Sequence, residues 1–90
     1  MPAQEKLVGG PYTASQVLAD GRYDLSSMRL VATGGAPCTV ALFDRTQDMI
    51  TLVADVTSPD DRVCNEKLSF RTNLEIQFLA GAGKLYLYFS

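Results

Sequence analysis

Apolar and polar residues alternate with a period of two along most of the chain, and the alternation is cut at short intervals by residues that turn the backbone. The clearest case is Ile50, Leu52, Ala54 and Val56 on one side against Thr51, Val53 and Asp55 on the other, the pattern of a β-strand with unlike faces. Before it, Cys38, Val40 and Leu42 oppose Thr39, Ala41 and Phe43, and Asp44-Arg45-Thr46-Gln47-Asp48 between the two runs is a polar loop of hairpin length. Tyr23 to Thr33 alternates in two registers, Tyr23 and Leu25 first, then Met28, Leu30 and Ala32. The change of parity across Ser26-Ser27 predicts a bulge there.

Further runs follow the same rule. Thr13 to Ala19, with Val17 and Leu18, predicts a short strand ending at Asp20-Gly21, a dipeptide suited to a hairpin turn. Val63 to Arg71 carries Leu68 and Phe70 in phase, Thr72-Asn73 supplies a reversal, and Leu74, Ile76, Phe78 and Ala80 alternate up to Gly81-Ala82-Gly83. Lys84 to Phe89 is the last strand. Gly34-Gly35-Ala36-Pro37 and Ser58-Pro59-Asp60-Asp61 break the pattern with residues that permit positive φ, close Asx turns or cannot donate to a ladder. Short runs spaced by turn signals every ~8–12 residues predict an all-β fold, an antiparallel, jelly-roll-like β-sandwich of about seven to eight strands. No stretch has a sustained helical period. Met1 to Tyr12 lacks either period and reads as an extended N-terminal arm, residues 1–12, with the sandwich over residues 13–90.

Composition narrows the function. The 90 residues suffice for one domain, and 47% hydrophobic with 20% charged residues is the balance of a globular chain. A core this small is marginal alone, which favours homo-oligomerisation. The net charge of −2, with both signs interspersed, lacks the clustered cations of a nucleic-acid surface. Without a long apolar run or an apolar leader, the expectation is synthesis in the cytoplasm and no membrane span.

Chemistry is scarce. Histidine is absent, which removes the commonest general base and metal ligand, so no catalytic residue is assigned and the chain reads as a non-enzyme. Cys38 and Cys64 lack the number and spacing of a disulfide scaffold or zinc site, and are expected to be reduced, buried thiols. Asp55, Asp60 and Asp61 lack the spacing of a calcium loop and read as turn residues, so no metal is expected. Gly34-Gly35 and Gly81-Ala82-Gly83 read as hairpin turns rather than phosphate loops, and no cofactor is expected. Tyr12, Tyr23, Tyr86 and Tyr88 could form an aromatic platform for a carbohydrate, although tyrosines in strands usually pack. In the closing KLYLYFS, Leu85, Leu87 and Phe89 share one face and Tyr86 and Tyr88 the other, so neither face is plainly solvated. Such a strand is central between layers or covered by a neighbouring subunit. Tyr86, Tyr88 and Phe89 are therefore the candidate interface residues.

The succession SSMRLVATGGAPCTVALFDR, a polar hairpin, ITLVADV, then KLSFRTNLEIQFLAGAGKLYLYFS resembles a group of short β-sandwich virion proteins of tailed bacteriophages. The features that carry it are the Phe43-Asp44 step, the approach Leu68, Phe70, Leu74, and the Gly-Ala-Gly turn before an aromatic last strand. The resemblance covers roughly Tyr12 to Ser90. It implies a structural subunit on the phage head, a capsid decoration or cement protein, with the major capsid protein or other virion proteins as partners. A tail, baseplate or fibre adaptor position is the alternative within the virion. A carbohydrate- or receptor-binding module is the alternative outside that class.

Overall fold

The computed structural model describes residues 8–89, which form eight strands and, among those residues, no helix. They are β1 (Val8–Tyr12), β2 (Gln16–Val17), β3 (Tyr23–Ala32), β4 (Cys38–Asp44), β5 (Gln47–Ala54), β6 (Asp60–Phe70), β7 (Glu75–Ala80) and β8 (Gly83–Phe89). Two four-stranded antiparallel sheets have the orders β1-β8-β3-β6 and β2-β7-β4-β5. Consecutive strands lie in opposite sheets except β4 and β5, and the two sheets face one another: this is the jelly-roll arrangement of paired Greek keys.

The alternation decides what lies between the sheets. Leu25, Met28 and Leu30 of β3, Val40 and Leu42 of β4, Leu52 and Ala54 of β5, Phe70, Leu74, Ile76, and Leu85 and Leu87 of β8 are all buried in one cluster. The bulge falls where the parity predicted it. Leu25 pairs with Phe89 and Ser27 with Tyr88, so Ser26 is the extra residue against β8, and its Oγ donates to the Tyr88 carbonyl at 3.1 Å. Without that residue Leu25 and Met28 could not both face inward. On the other side of β3, Leu25 pairs with Leu68 and Ser27 with Val63, so residues 64–67 bow out from the edge of β6.

Three expectations are corrected. Val8–Tyr12 is the edge strand β1, paired with β8, so the sandwich begins before residue 13; residues 1–7 of the expected arm lie outside the described residues. Asp20-Gly21, Gly34-Gly35 and Gly81-Ala82 are not hairpin turns, because each joins a strand of one sheet to a strand of the other. The one hairpin between consecutive paired strands is β4–β5, where Arg45 adopts a φ of 55°. Of the two thiols, both free, Cys38 is buried as expected but Cys64 on β6 is only half-buried.

Candidate functional site

Tyr86 and Tyr88 stand on β8, which lies between β1 and β3. Their neighbours Leu85 and Leu87 are fully buried, so both tyrosines point away from the core and are half-exposed on the outer face of that sheet. Phe89 has the opposite parity. It packs on the margin of the core with its ring centroid 6.0 Å from that of Tyr23, so it does not share the tyrosine surface. Nor do the four tyrosines form one platform, since Tyr12 and Tyr23 pack against the core. Burial, and to a lesser extent the nearby Tyr23, raises the Tyr12 phenol above its ordinary value.

Pairing defines rows across this outer face. Tyr86 on β8, Arg29 on β3 and Asp61 on β6 make one row; Tyr88, Ser27 and Val63 make the next. Arg29 Nη1 donates to both carboxylate oxygens of Asp61 at 3.2 Å across the strands. Ser27 is small and stands between two larger residues, and the result is a shallow hollow of ≈ 190 Å³ lined by Ser27, Arg29, Asp61, Arg62, Val63 and Tyr88, with Met28 beneath. Lys84 opposite Val31, and Asp24 opposite Ser69, add further charge and polarity to this face. Ser69 Oγ donates to Asp24 at 2.7 Å and, with Arg22, holds the Asp24 carboxyl below its ordinary value.

The opposite sheet presents a different surface. Its outward positions include Thr39, Ala41 and Phe43 on β4, Thr51 and Val53 on β5, and Glu75 and Gln77 on β7, with Val17 of β2 paired to Glu75. Val17, Val53 and Leu79, the last standing where the register of β7 slips against β4, are each more than half exposed (55%, 56% and 57%). No outward position of this sheet is Lys or Arg. Glu75 accepts a hydrogen bond from Gln77 Nε2 at 2.7 Å, which ties down its charge. The sandwich thus has one tyrosine-bearing face with charges of both signs and one broad face of mostly apolar and small neutral residues, whose charges are the carboxylates of Glu75 and of Asp48 beside Phe43. Reading the chain strand by strand missed the second face, because Val17, Val53 and Leu79 come from three separate strands and look unremarkable singly.

Two clusters hold the frame. Asp60 and Arg62 lie on the edge strand β6 with inward parity and reach the edge strand β5 of the other sheet. Asp60 Oδ2 accepts from Val53 N at 2.8 Å, Arg62 Nη2 donates to the Thr51 carbonyl at 3.4 Å, and Arg62 Nε donates to Asp60 at 2.7 Å. Burial alone would raise the Asp60 carboxyl, but Arg62 and the Val53 N–H outweigh it and hold it below its ordinary value. At the hairpin end, the Asp44 carboxylate accepts from the backbone of Arg71, Thr72 and Asn73, while Asn73 Oδ1 accepts from Arg45 N. Arg62 of the first cluster also lines the hollow over Ser27. Among the described residues no three of His, Cys, Asp and Glu are grouped as a metal ion would require, and burial pushes the Cys38 thiol up, away from the reactive thiolate. No helix of the described residues is long and apolar enough to cross a membrane.

Compared with protein-family models, with curated proteins and with solved structures, the chain matches none.

Proposed function

We propose that the protein is a non-enzymatic virion structural protein, a decoration subunit that docks in many copies on the head of a tailed bacteriophage and stiffens it. The observation that carries this reading is the broad, cation-free outer face of the β2-β7-β4-β5 sheet, with Val17, Val53 and Leu79 exposed on it. Exposed β-branched and aliphatic side chains spread over one face, with Val17 on one edge strand and Val53 on the other, suit a protein contact, since burial yields about 25 cal/mol per Å² whatever the detailed geometry. The molecule measures 40 × 26 × 20 Å. Its broad side is thus of the size of a standard interface patch, ~800 Å² per partner. The jelly roll is used by capsid domains and also by lectins and cupins, so the fold is compatible with the reading without selecting it.

In this reading the partner is the major capsid protein or another shell protein, small oligomers of the chain supply avidity, and Tyr86 and Tyr88 on the other sheet remain turned outward. The test compares heat-triggered genome release from particles with and without the protein. Release at lower temperature from particles that lack it, with head formation intact, supports the decoration role. Superimposable release curves remove that role and transfer the protein to the tail or to receptor binding.

A further inference from the structure

We propose that the hollow over Ser27 binds a single neutral sugar ring, such as the terminal residue of a glycan. Three observations converge there. Ser27 is the smallest side chain in its row and leaves space between Tyr88 on β8 and Val63 on β6, whose side chain is 80% exposed. Tyr88 and Val63 give that space apolar walls. The next row closes one end with Arg29 and Asp61, a donor and an acceptor held side by side at 3.2 Å. Arg29 spends Nη1 on Asp61, and among the described residues its other N–H groups have no partner, while each Asp61 oxygen keeps a second acceptor site.

A pyranose has the matching chemistry. One side of the ring is a patch of C–H groups that lies against an aromatic ring, and its rim carries neighbouring hydroxyls that both donate and accept. One hydroxyl donating to Asp61 while the next accepts from Arg29 reads the pair as a unit. Charge selects a neutral ligand: Arg29 is paired with Asp61 and Arg62 with Asp60, so the hollow carries no net positive charge to draw an anion. Size selects one ring, because ≈ 190 Å³ is below the ~300 Å³ at which pockets for larger ligands begin. The site lies on the sheet opposite the proposed docking face, and it stands or falls independently of the decoration role.

The test is amide NMR of the full chain titrated with methyl glycosides of neutral hexoses and N-acetylhexosamines, with a sulfated glycoside beside them. The expected result is a saturable shift, in the millimolar range, centred on Ser27, Arg29, Asp61, Val63 and Tyr88 for at least one neutral glycoside. Tyr88→Phe keeps it, Tyr88→Ala weakens it at least about tenfold, and Asp61→Asn, at an exposed position, weakens it by a similar factor. If Tyr88→Ala unfolds, as the same spectra would reveal, Asp61→Asn decides. No saturable shift with any neutral glycoside, shifts centred elsewhere, tighter binding of the sulfated probe, or unchanged affinity in Asp61→Asn would overturn the proposal.

Discussion

Asp44 ends β4, and its carboxylate takes the N–H groups of Arg71 at 2.8 Å, Thr72 at 3.2 Å and Asn73 at 3.4 Å, so one side chain satisfies the turn that carries the chain from β6 to β7. The Arg71 N–H contributes most to holding the Asp44 carboxyl below its ordinary value, with those of Asn73 and Thr72 adding to it. A lowered pKa in the fold means that the unfolded chain takes up the proton first. The stabilisation is therefore complete above the ordinary Asp value of about 3.9 and is lost as pH falls through the folded value. Asp44→Asn is expected to lower the thermal midpoint near neutrality, with the gap to the wild type closing in acid. Midpoints by circular dichroism check this, and a gap of constant size down to strong acid would refute it. Cys38 presents the opposite case, a buried group with no polar role. A methyl added at Gly83 would stand 2.8 Å from Cys38 Sγ and 2.7 Å from the Val31 carbonyl, which shows how closely β8 and the start of β4 approach. Cys38→Ser is expected to cost about 1–3 kcal/mol by burying a hydroxyl, whereas added reductant should leave the midpoint unmoved because both thiols are free. A reductant-dependent loss of stability would reveal a bridge.

At the level of strands, the legible part of the sequence was parity and the illegible part was partnership. Ile50 and Val56 show the limit of the first: in the strand with the cleanest alternation, Leu52 and Ala54 are buried, Ile50 is half-buried, and Val56 lies beyond the end of β5 and is 52% exposed. Ser26 shows its strength, since a change of phase in the letters became the bulge that lets β3 keep both halves inward. Turn residues report that the chain reverses, yet not which strand receives it. Every connection but β4–β5 passes to the other sheet, so the apparent hairpin signals at Asp20-Gly21 and Gly81-Ala82 mark crossings. The same limit hid Asp60 and Arg62, which look like solvated turn residues until β6 is set beside β5. Edge strands with free N–H and C=O groups invite unwanted pairing, and here Val53 N and the Thr51 carbonyl on β5 are occupied by charged side chains from the opposite sheet. Asp60→Ala should expose the Val53 amide to solvent and raise its hydrogen-exchange rate well above that of its neighbours, with a loss of about 1–3 kcal/mol overall. An unchanged rate at Val53 would show that the seam is closed by packing alone.

At the scale of the whole molecule, the two outer faces differ in kind, and that difference could not be read from the chain because a face is assembled from strands distant in sequence. KLYLYFS drew attention to Tyr86 and Tyr88 as contact residues, and both are half-exposed on the outer face. Yet, among the described residues, three of the five exposed large hydrophobic side chains, Val17, Val53 and Leu79, belong to the β2-β7-β4-β5 sheet, whose outward positions carry no Lys or Arg to be desolvated on docking. Removing a charge from water without a partner is far costlier than removing a valine, so this face, whose outward charges are the carboxylates of Glu75 and Asp48, docks at less cost than the face that carries Arg29, Asp61, Lys84 and Asp24. Exchanging Val53 and Leu79 for Asp adds two unpaired carboxylates to that face and, because both side chains are already solvated, is expected to leave the monomer folded. The double variant should therefore keep its thermal midpoint within a few degrees while failing to join particles, whereas Tyr86→Ser with Tyr88→Ser should still join them. Sedimentation of each variant with particles that lack the protein separates the outcomes. Incorporation of the Asp variant together with loss of the tyrosine variant would put the contact on the β1-β8-β3-β6 sheet, where it would cover the Ser27 hollow and make sugar binding and docking mutually exclusive.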